Sequence, residues 1–220
     1  MIIKVTENQY KRLCLEMAYP TTFNFDEFKA CRSFAERVRY CEARLPRIAQ
    51  GSSRIVYKVD NDKVLKLAKN KKGIAQNKVE ERLGNSNYYQ CFAEVYECDE
   101  NWLWIEMEYC TKAKKSDFKK IYGIPFEALC CMMILQSNNS TGRKYNPYSQ
   151  YKYLVDYVWN GEYNDTQELF YNVQDYIGSE MLGAVADLCR ISSWGINSEG
   201  YFVLVDYGLD DDVLSKYYGR

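Results

Sequence analysis

The sequence predicts an α+β chain in two lobes, a small antiparallel β-rich lobe followed by a mainly helical one. Two observations carry this. Between residues 49 and 110 the apolar residues alternate, as in Ile55-Val56-Tyr57-Lys58-Val59 and Lys63-Val64-Leu65-Lys66-Leu67, which is the two-residue period of strands. From Ser116 onward the spacing is mainly helical, until a last apolar run, Tyr201-Phe202-Val203-Leu204-Val205, leads into Asp206-Tyr207-Gly208. A chain of 220 residues is long enough to bury a sizeable core in either lobe.

Residues 1–48 read as an N-terminal helical segment, because Phe34, Val38, Cys41 and Leu45 recur at helical spacing and Pro46 ends the run. Residues 49–110 form the β-rich lobe. Asp60-Asn61-Asp62 joins two strands as a hairpin, Ala75, Val79 and Leu83 share a helix stripe, and Cys91–Glu97 and Trp102–Met107 are two further strand candidates. Residues 111–220 form the helical lobe. Pro125 opens a helix with the stripe Phe126, Leu129, Cys130, Met133 and Ile134, and 137–150 is polar enough for a long loop. Asp165-Thr166-Gln167-Glu168 has the form of a capping box for a long helix through Leu169, Phe170, Val173, Tyr176, Ile177, Met181 and Val185 that ends at Asp187. A short hairpin near Trp194–Asp206 and a terminal turn of helix at Asp212–Tyr218 complete the chain.

Composition excludes several kinds of chemistry. There is no histidine, which removes Ser-His-Asp and Cys-His hydrolases and, with no C-x-x-C pair, makes a zinc site an unexpected feature. Nine cysteines, two of them adjacent at Cys130-Cys131, suit reduced thiols in a cytoplasm better than a disulfide framework. A formal charge of -1 offers no basic field for a nucleic-acid backbone, and no apolar run reaches the roughly 20 residues of a membrane span. The 21 tyrosines are spread over helices and strands, as core and half-buried residues would be.

The chemistry-bearing residues lie at three places. Gly51-Ser52-Ser53-Arg54-Ile55-Val56-Tyr57 is a candidate phosphate loop, in which backbone N–H groups would face the anion and glycine permits close approach. Lys66 stands in an apolar strand on the face of Val64 and Ala68, where an ammonium requires an anionic partner. Glu80, fourteen residues on and one turn beyond Gln76, is the expected partner, with neighbouring Glu81 as the alternative. Finally, Asp187-Leu188-Cys189-Arg190-Ile191-Ser192-Ser193-Trp194-Gly195 follows the longest helix, and Ser193 precedes Asp206 by thirteen residues.

Loop, lysine, glutamate and strand-end aspartate in this order resemble the protein-kinase-like superfamily. More narrowly, Gly-Ser-Ser-Arg-x-Val-Tyr, Val-Leu-Lys-Leu-Ala-Lys-Asn with Gly73, Gln76 and Asn77, Ser-Ser-Trp-Gly and Val-Leu-Val-Asp-Tyr-Gly-Leu are similar to small kinase-like proteins of large tailed bacteriophages, over roughly residues 34–218. The resemblance implies a two-lobed kinase-like fold with a truncated helical lobe. It implies that Gly51, Ser52, Ser53, Arg54, Val56, Lys66 and Glu80 bind the phosphates of ATP, and that backbone groups near Glu108 and Cys110 bind adenine, with Met107 limiting the depth of that pocket. Asp206, with Ser193 in place of the usual Asn, would hold Mg²⁺, and Asp187 would orient an acceptor hydroxyl.

Three departures bear on catalysis. The His-Arg-Asp triplet is absent and Asp187 sits one residue further from Ser193 than the family spacing; Ser193 is a shorter neutral ligand; and twelve residues follow Gly208. Asp210, Asp211 and Asp212 read as an exposed acidic helix start rather than as metal ligands. Two functions stay open: an ATP-dependent phosphotransferase acting on a protein hydroxyl, and a phage pseudokinase serving as a binding or structural module. Either implies nucleotide and a protein partner or substrate of host or phage origin as ligands, in host cytoplasm or on a virion, with no nucleic acid and no membrane.

Overall fold

The structure, a computed structural model, describes residues 22–85, 91–180 and 185–219. It combines an antiparallel sheet with a helical part, and the chain divides into two compact units, Met1–Asn77 with Glu94–Tyr109, and Lys78–Ala93 with Cys110–Arg220.

The first unit is built on a five-stranded sheet of β1 (Arg47–Gln50), β2 (Arg54–Lys58), β3 (Lys63–Ala68), β4 (Val95–Cys98) and β5 (Trp104–Glu108), in the order β1-β2-β3-β5-β4 with every pair antiparallel. β2 and β3 form the expected hairpin across Asp60–Asp62, where Asp60 accepts the Asp62 N–H at 2.7 Å. The strand period divides the sheet cleanly. Ile55, Tyr57, Leu65, Leu67 and Trp104 face one side and form a core with Phe23, Phe28, Cys41 and Leu45. Each fully buried leucine here stabilises the unit by about 1.5–3 kcal/mol.

That core corrects one part of the sequence reading. Residues up to 48 were expected to be helical throughout; instead α1 (Phe25–Ala30) and α2 (Phe34–Glu42) give way to β1, and residues 1–21 lie outside those described. Caps explain the two starts. Asn24 accepts the N–H groups of Asp26 and Glu27, and Ser33 with Glu36 closes a capping box. All four residues of β1 are exposed, so no apolar alternation marks it in the sequence.

Helix α3 (Lys71–Gly84) carries the stripe foreseen around Ala75–Leu83, and the division between the units falls within it. In the second unit the helices are α4 (Lys115–Tyr122), α5 (Phe126–Thr141), α6 (Lys152–Asn160), α7 (Asp165–Glu180), the short α8 (Val185–Leu188) and α9 (Asp211–Tyr218). A second, three-stranded sheet joins β6 (Thr111–Lys112), β7 (Trp194–Ile196) and β8 (Phe202–Leu204). Over residues 128–133 α5 is buried all round, through Leu129, Cys130, Cys131, Met132 and Met133, as a helical stretch without a polar face must be.

Several boundaries differ from expectation. The polar run 137–150 is not all loop, since α5 continues to Thr141 and stops at Gly142 with φ +72°. α6 lies in a stretch to which the sequence reading assigned no element. α7 is capped by Asn164, whose Oδ1 accepts the Thr166 and Gln167 N–H groups, and not by Asp165. Residues 181–184, and with them Met181, lie outside the described residues, and Asp187 lies within α8. Within Cys91–Glu97 only 95–97 join β4. Residues 91–93 bond instead to Leu204, through Leu204 N–H to Cys91 C=O at 2.7 Å and Ala93 N–H to Leu204 C=O at 2.9 Å.

Candidate functional site

In the first unit the residues of interest gather where β1 turns into β2. The Gly51 N–H bonds the Arg54 carbonyl at 2.9 Å, which closes a tight turn over Gly51-Ser52-Ser53. The turn's carbonyls are all engaged from the protein side. Lys69 Nζ donates to Gly51 C=O at 3.0 Å, Asn70 Nδ2 to Ser52 C=O at 3.0 Å, and the Lys69 N–H to Ser53 C=O at 2.7 Å. The Ser53 hydroxyl bonds Gln76 Oε1 at 2.6 Å. Because the carbonyls are turned inward, the Ser52 and Ser53 N–H groups are left without a protein acceptor among the described residues. Adjacent unpaired N–H groups in a turn form an anion-binding concavity.

Gly73 makes this arrangement possible. A methyl group there would meet Ser53 O at 2.2 Å and Ala68 Cα at 3.1 Å, so only glycine lets the start of α3 approach the turn. Gly51, by contrast, has open space around it.

Lys66 belongs to the opposite sheet face from the Leu65 core. Its strand partners are Val56 and Ile105, and only 6% of it is exposed. Arg54 is equally buried; its guanidinium reaches Asn77 Oδ1 at 3.4 Å, and Asn77 donates to Trp102 C=O at 2.9 Å. Lys66 and Arg54 thus place two buried cations on the sheet face that also carries Val56 and Ile105. Lys69, Asn70 and Asn77 were not singled out by role from the sequence, although Lys-Asn-x-x-Gly-x-x-Gln-Asn after β3 is the signal for them.

At the end of β5, the Glu108 N–H is bonded to Glu94 C=O at 2.8 Å and the Tyr109 N–H to Asp62 C=O at 2.7 Å. Met107 is buried beside Val64.

The second unit holds the remaining residues. Glu80, on α3, is fully buried while Glu81 is half-buried. The β7–β8 pairing sets Ser193 beside the residue before Asp206, through the Val205 N–H to Ser193 C=O at 2.9 Å. Asp206 is exposed at the strand's end, whereas Tyr207 is fully buried, stacked on Phe92 at 4.4 Å and bonded through its hydroxyl to Ala93 C=O at 2.7 Å.

The segment from Asp187 to Ser193 is braced three times. Ser193 Oγ donates to Asp187 C=O at 2.8 Å, Trp194 Nε1 to Leu188 C=O at 2.7 Å, and the Cys130 thiol to Cys189 C=O at 3.7 Å. Hydrogen bonding with Cys189 and burial hold that thiol far above its usual range. The Asp187 carboxylate pairs with Arg190 at 3.1 Å, both partly exposed. Cys110 packs against Gly195, where a methyl group would come within 2.5 Å of its Cβ.

The acidic cluster after Gly208 is not uniformly exposed. Asp210 is buried, caps α9 through the Val213 N–H at 2.8 Å, and meets Arg82 at 3.4 Å. Among the described residues no group of three or more acidic or thiol side chains is placed to hold a metal ion.

No protein-family model and no curated protein matches the chain. Among solved structures it is similar to the streptomycin-ATP-APH(2")-IIa ternary complex, at 13% identity over 94% of this chain and 71% of that one, with a TM-score of 0.36.

Proposed function

We propose that the chain is a kinase-like nucleotide-binding protein. The observation that carries this is the Gly51–Arg54 turn, whose carbonyls are tied down by Lys69 and Asn70 while the Ser52 and Ser53 N–H groups stay unpaired, in the same unit as buried Lys66. Such a set fits a polyphosphate: N–H groups cradle the oxygens and Lys66 supplies the cation. Val56 flanks Lys66, and backbone groups near Glu108 and Cys110 would take the adenine edge. Buried Glu80 is the residue we assign to orient the Lys66 amine, and exposed Asp206 the one we assign to Mg²⁺. One carboxylate suffices there, because Mg²⁺ keeps several waters and takes phosphate oxygens as ligands. ATP, when bound, would supply a transferable phosphoryl group.

Two readings of activity follow. In the first, Asp187 orients an acceptor hydroxyl, a protein hydroxyl being the substrate class, and the chain is a phosphotransferase. In the second it is a pseudokinase, a binding module for a host or phage protein. The pairing of Asp187 with Arg190 and the use of the Ser193 hydroxyl proton on Asp187 C=O favour the second, since both groups are engaged in bracing their own segment.

A thermal-shift titration with ATP, with and without Mg²⁺, tests the common core. Binding at a hundred times Kd raises stability by about 2.7 kcal/mol. Lys66→Ala should remove the shift under both conditions, and Asp206→Ala chiefly with Mg²⁺. An equal shift in wild type and both variants would refute the assigned site, and no shift in wild type would refute nucleotide binding.

A further inference from the structure

Two thiols meet in the second unit, outside the residues assigned to nucleotide. Cys130, inside α5, is 1% exposed, and its thiol donates to the carbonyl of Cys189 at 3.7 Å. The same thiol is hydrogen-bonded to the Cys189 side chain, so the two sulfurs are neighbours. Cys189 follows the end of α8 and is half-buried, within reach of solvent. Both are free thiols.

Their surroundings hold the pair in place without its help. The chain around Cys189 is fixed by Trp194 Nε1 on Leu188 C=O at 2.7 Å and by Ser193 Oγ on Asp187 C=O at 2.8 Å. The Arg190 N–H also bonds Asp187 C=O at 3.2 Å, closing a turn with Cys189 inside it. On the other side, Glu127, one turn before Cys130 on α5, is tied to Lys115 at 2.7 Å. Neither sulfur has to be carried to the other.

Two other thiols are placed differently. Cys131, next in the chain, accepts the Asn146 amide on its sulfur at 3.5 Å. Cys31 donates to the Glu27 carbonyl, four residues back, at 3.5 Å. A core role accounts for the burial of Cys130, but not for a half-exposed thiol set against it.

We propose that Cys130 and Cys189 form a reversible thiol–disulfide pair, whose closure joins α5 covalently to the segment of residues 187–193. The co-reactant is a small disulfide of the glutathione class. Cys189, the accessible thiol, loses its proton and attacks one glutathione sulfur. The glutathione S–S bond breaks, and the departing thiolate takes up a proton. Cys130 then gives up its proton and attacks the Cys189 sulfur, forming the new S–S bond and expelling the second glutathione, which is protonated in turn. Two protein thiols are oxidised by two electrons while one glutathione disulfide is reduced to two thiols. Hydrogen bonding with Cys189 and burial keep the proton on Cys130, which suits it to the second, intramolecular attack rather than the first. The inference does not depend on nucleotide binding.

Closure should be felt in two ways. Cys130 and Cys189 are 59 residues apart, so the bond restricts the unfolded chain. It also replaces a weak sulfur hydrogen bond with a covalent tie on the segment that carries Asp187 and Ser193.

The test equilibrates the full chain with glutathione mixtures from fully reduced to fully oxidised, traps free thiols with iodoacetamide and maps the peptides by mass. A Cys130–Cys189 cross-linked peptide should form and vanish with dithiothreitol. The oxidised form should melt about 5 °C or more higher, and amide exchange over residues 187–193 should slow about threefold or more. Cys189→Ser, at a half-exposed position, should lose all three effects. Cys130→Ser should retain glutathione on Cys189 as a mixed disulfide, and Cys31→Ser should behave as wild type. The wild-type map and Cys189→Ser decide the matter should Cys130→Ser not fold. The inference is overturned if both thiols stay free at the fully oxidised end, if glutathione remains on wild-type Cys189, if either thiol links to another cysteine instead, or if Cys189→Ser keeps the melting shift.

Discussion

Ser193 Oγ stands 2.8 Å from the carbonyl oxygen of Asp187, so the hydroxyl at the expected metal position also closes the segment that carries the expected acceptor-side carboxylate. Ser193→Ala should therefore lower stability by about 0.5–1.5 kcal/mol, read by denaturant unfolding. It should leave ATP binding without metal unchanged. A loss of metal-dependent binding in the same variant would mark Ser193 as a ligand as well as a brace.

Asp187→Asn separates the two readings of activity. If Asp187 orients an acceptor, transfer of radiolabelled γ-phosphate to the chain itself or to lysate protein should vanish with ATP affinity intact. If it only pairs with Arg190, the cost should be within about 1 kcal/mol, because both partners are partly exposed, and there is no transfer to lose.

The two glycines at the β1–β2 turn should behave oppositely. Gly73→Ala places a methyl 2.2 Å from Ser53 O and should destabilise the fold by about 1–3 kcal/mol. Gly51→Ala meets nothing within 4 Å and should leave the melting temperature almost unchanged. Weakened ATP binding in Gly51→Ala at unchanged stability would show that the open space is needed by the ligand.

Lys63 and Glu106 form a buried pair on β3 and β5, 3.9 Å apart and 1% and 3% exposed. Glu106→Gln removes the carboxylate facing this buried ammonium and should cost about 3–5 kcal/mol. Replacing both residues with methionine should restore most of that loss, measured as a double-mutant cycle.

Alkaline pH should destabilise the protein through its buried thiols. Burial raises Cys41 and Cys91 to about 12 from the usual 9.0. Above pH 9 the unfolded chain releases these protons while the folded chain keeps them, so stability should fall from pH 9 to 12 and be independent of these groups below pH 8. Melting curves across that range check it, and Cys91→Ala should flatten the decline.

The hairpin that carries Lys66 was readable because its alternation is strict and its turn is rich in Asp and Asn. The β7–β8 hairpin was readable for similar reasons. β1 was not, since an exposed edge strand such as Arg47–Gln50 needs no apolar residues. The cap of α7 was misplaced by one residue because Asn164 and Asp165 are both good caps, and only geometry chooses between them. Lys63 was placed at the start of a strand, with nothing to mark it as buried. Its burial depends on Glu106 lying across the ladder, a pairing that no local spacing encodes. Likewise, the engagement of the loop carbonyls by Lys69 and Asn70 is a tertiary fact, although the residues themselves stood in plain view.

The turn between β1 and β2 has consequences for what length of chain this region can accept. Gly51, Ser52, Ser53 and Arg54 each have a carbonyl matched to a donor at a fixed place. One added residue would slide every carbonyl past its donor, and one removed residue would leave the strands unable to close. Insertions and deletions here should therefore be rejected in any selection for folded protein, unlike those in an ordinary surface hairpin, whose tip is the usual place for length to vary.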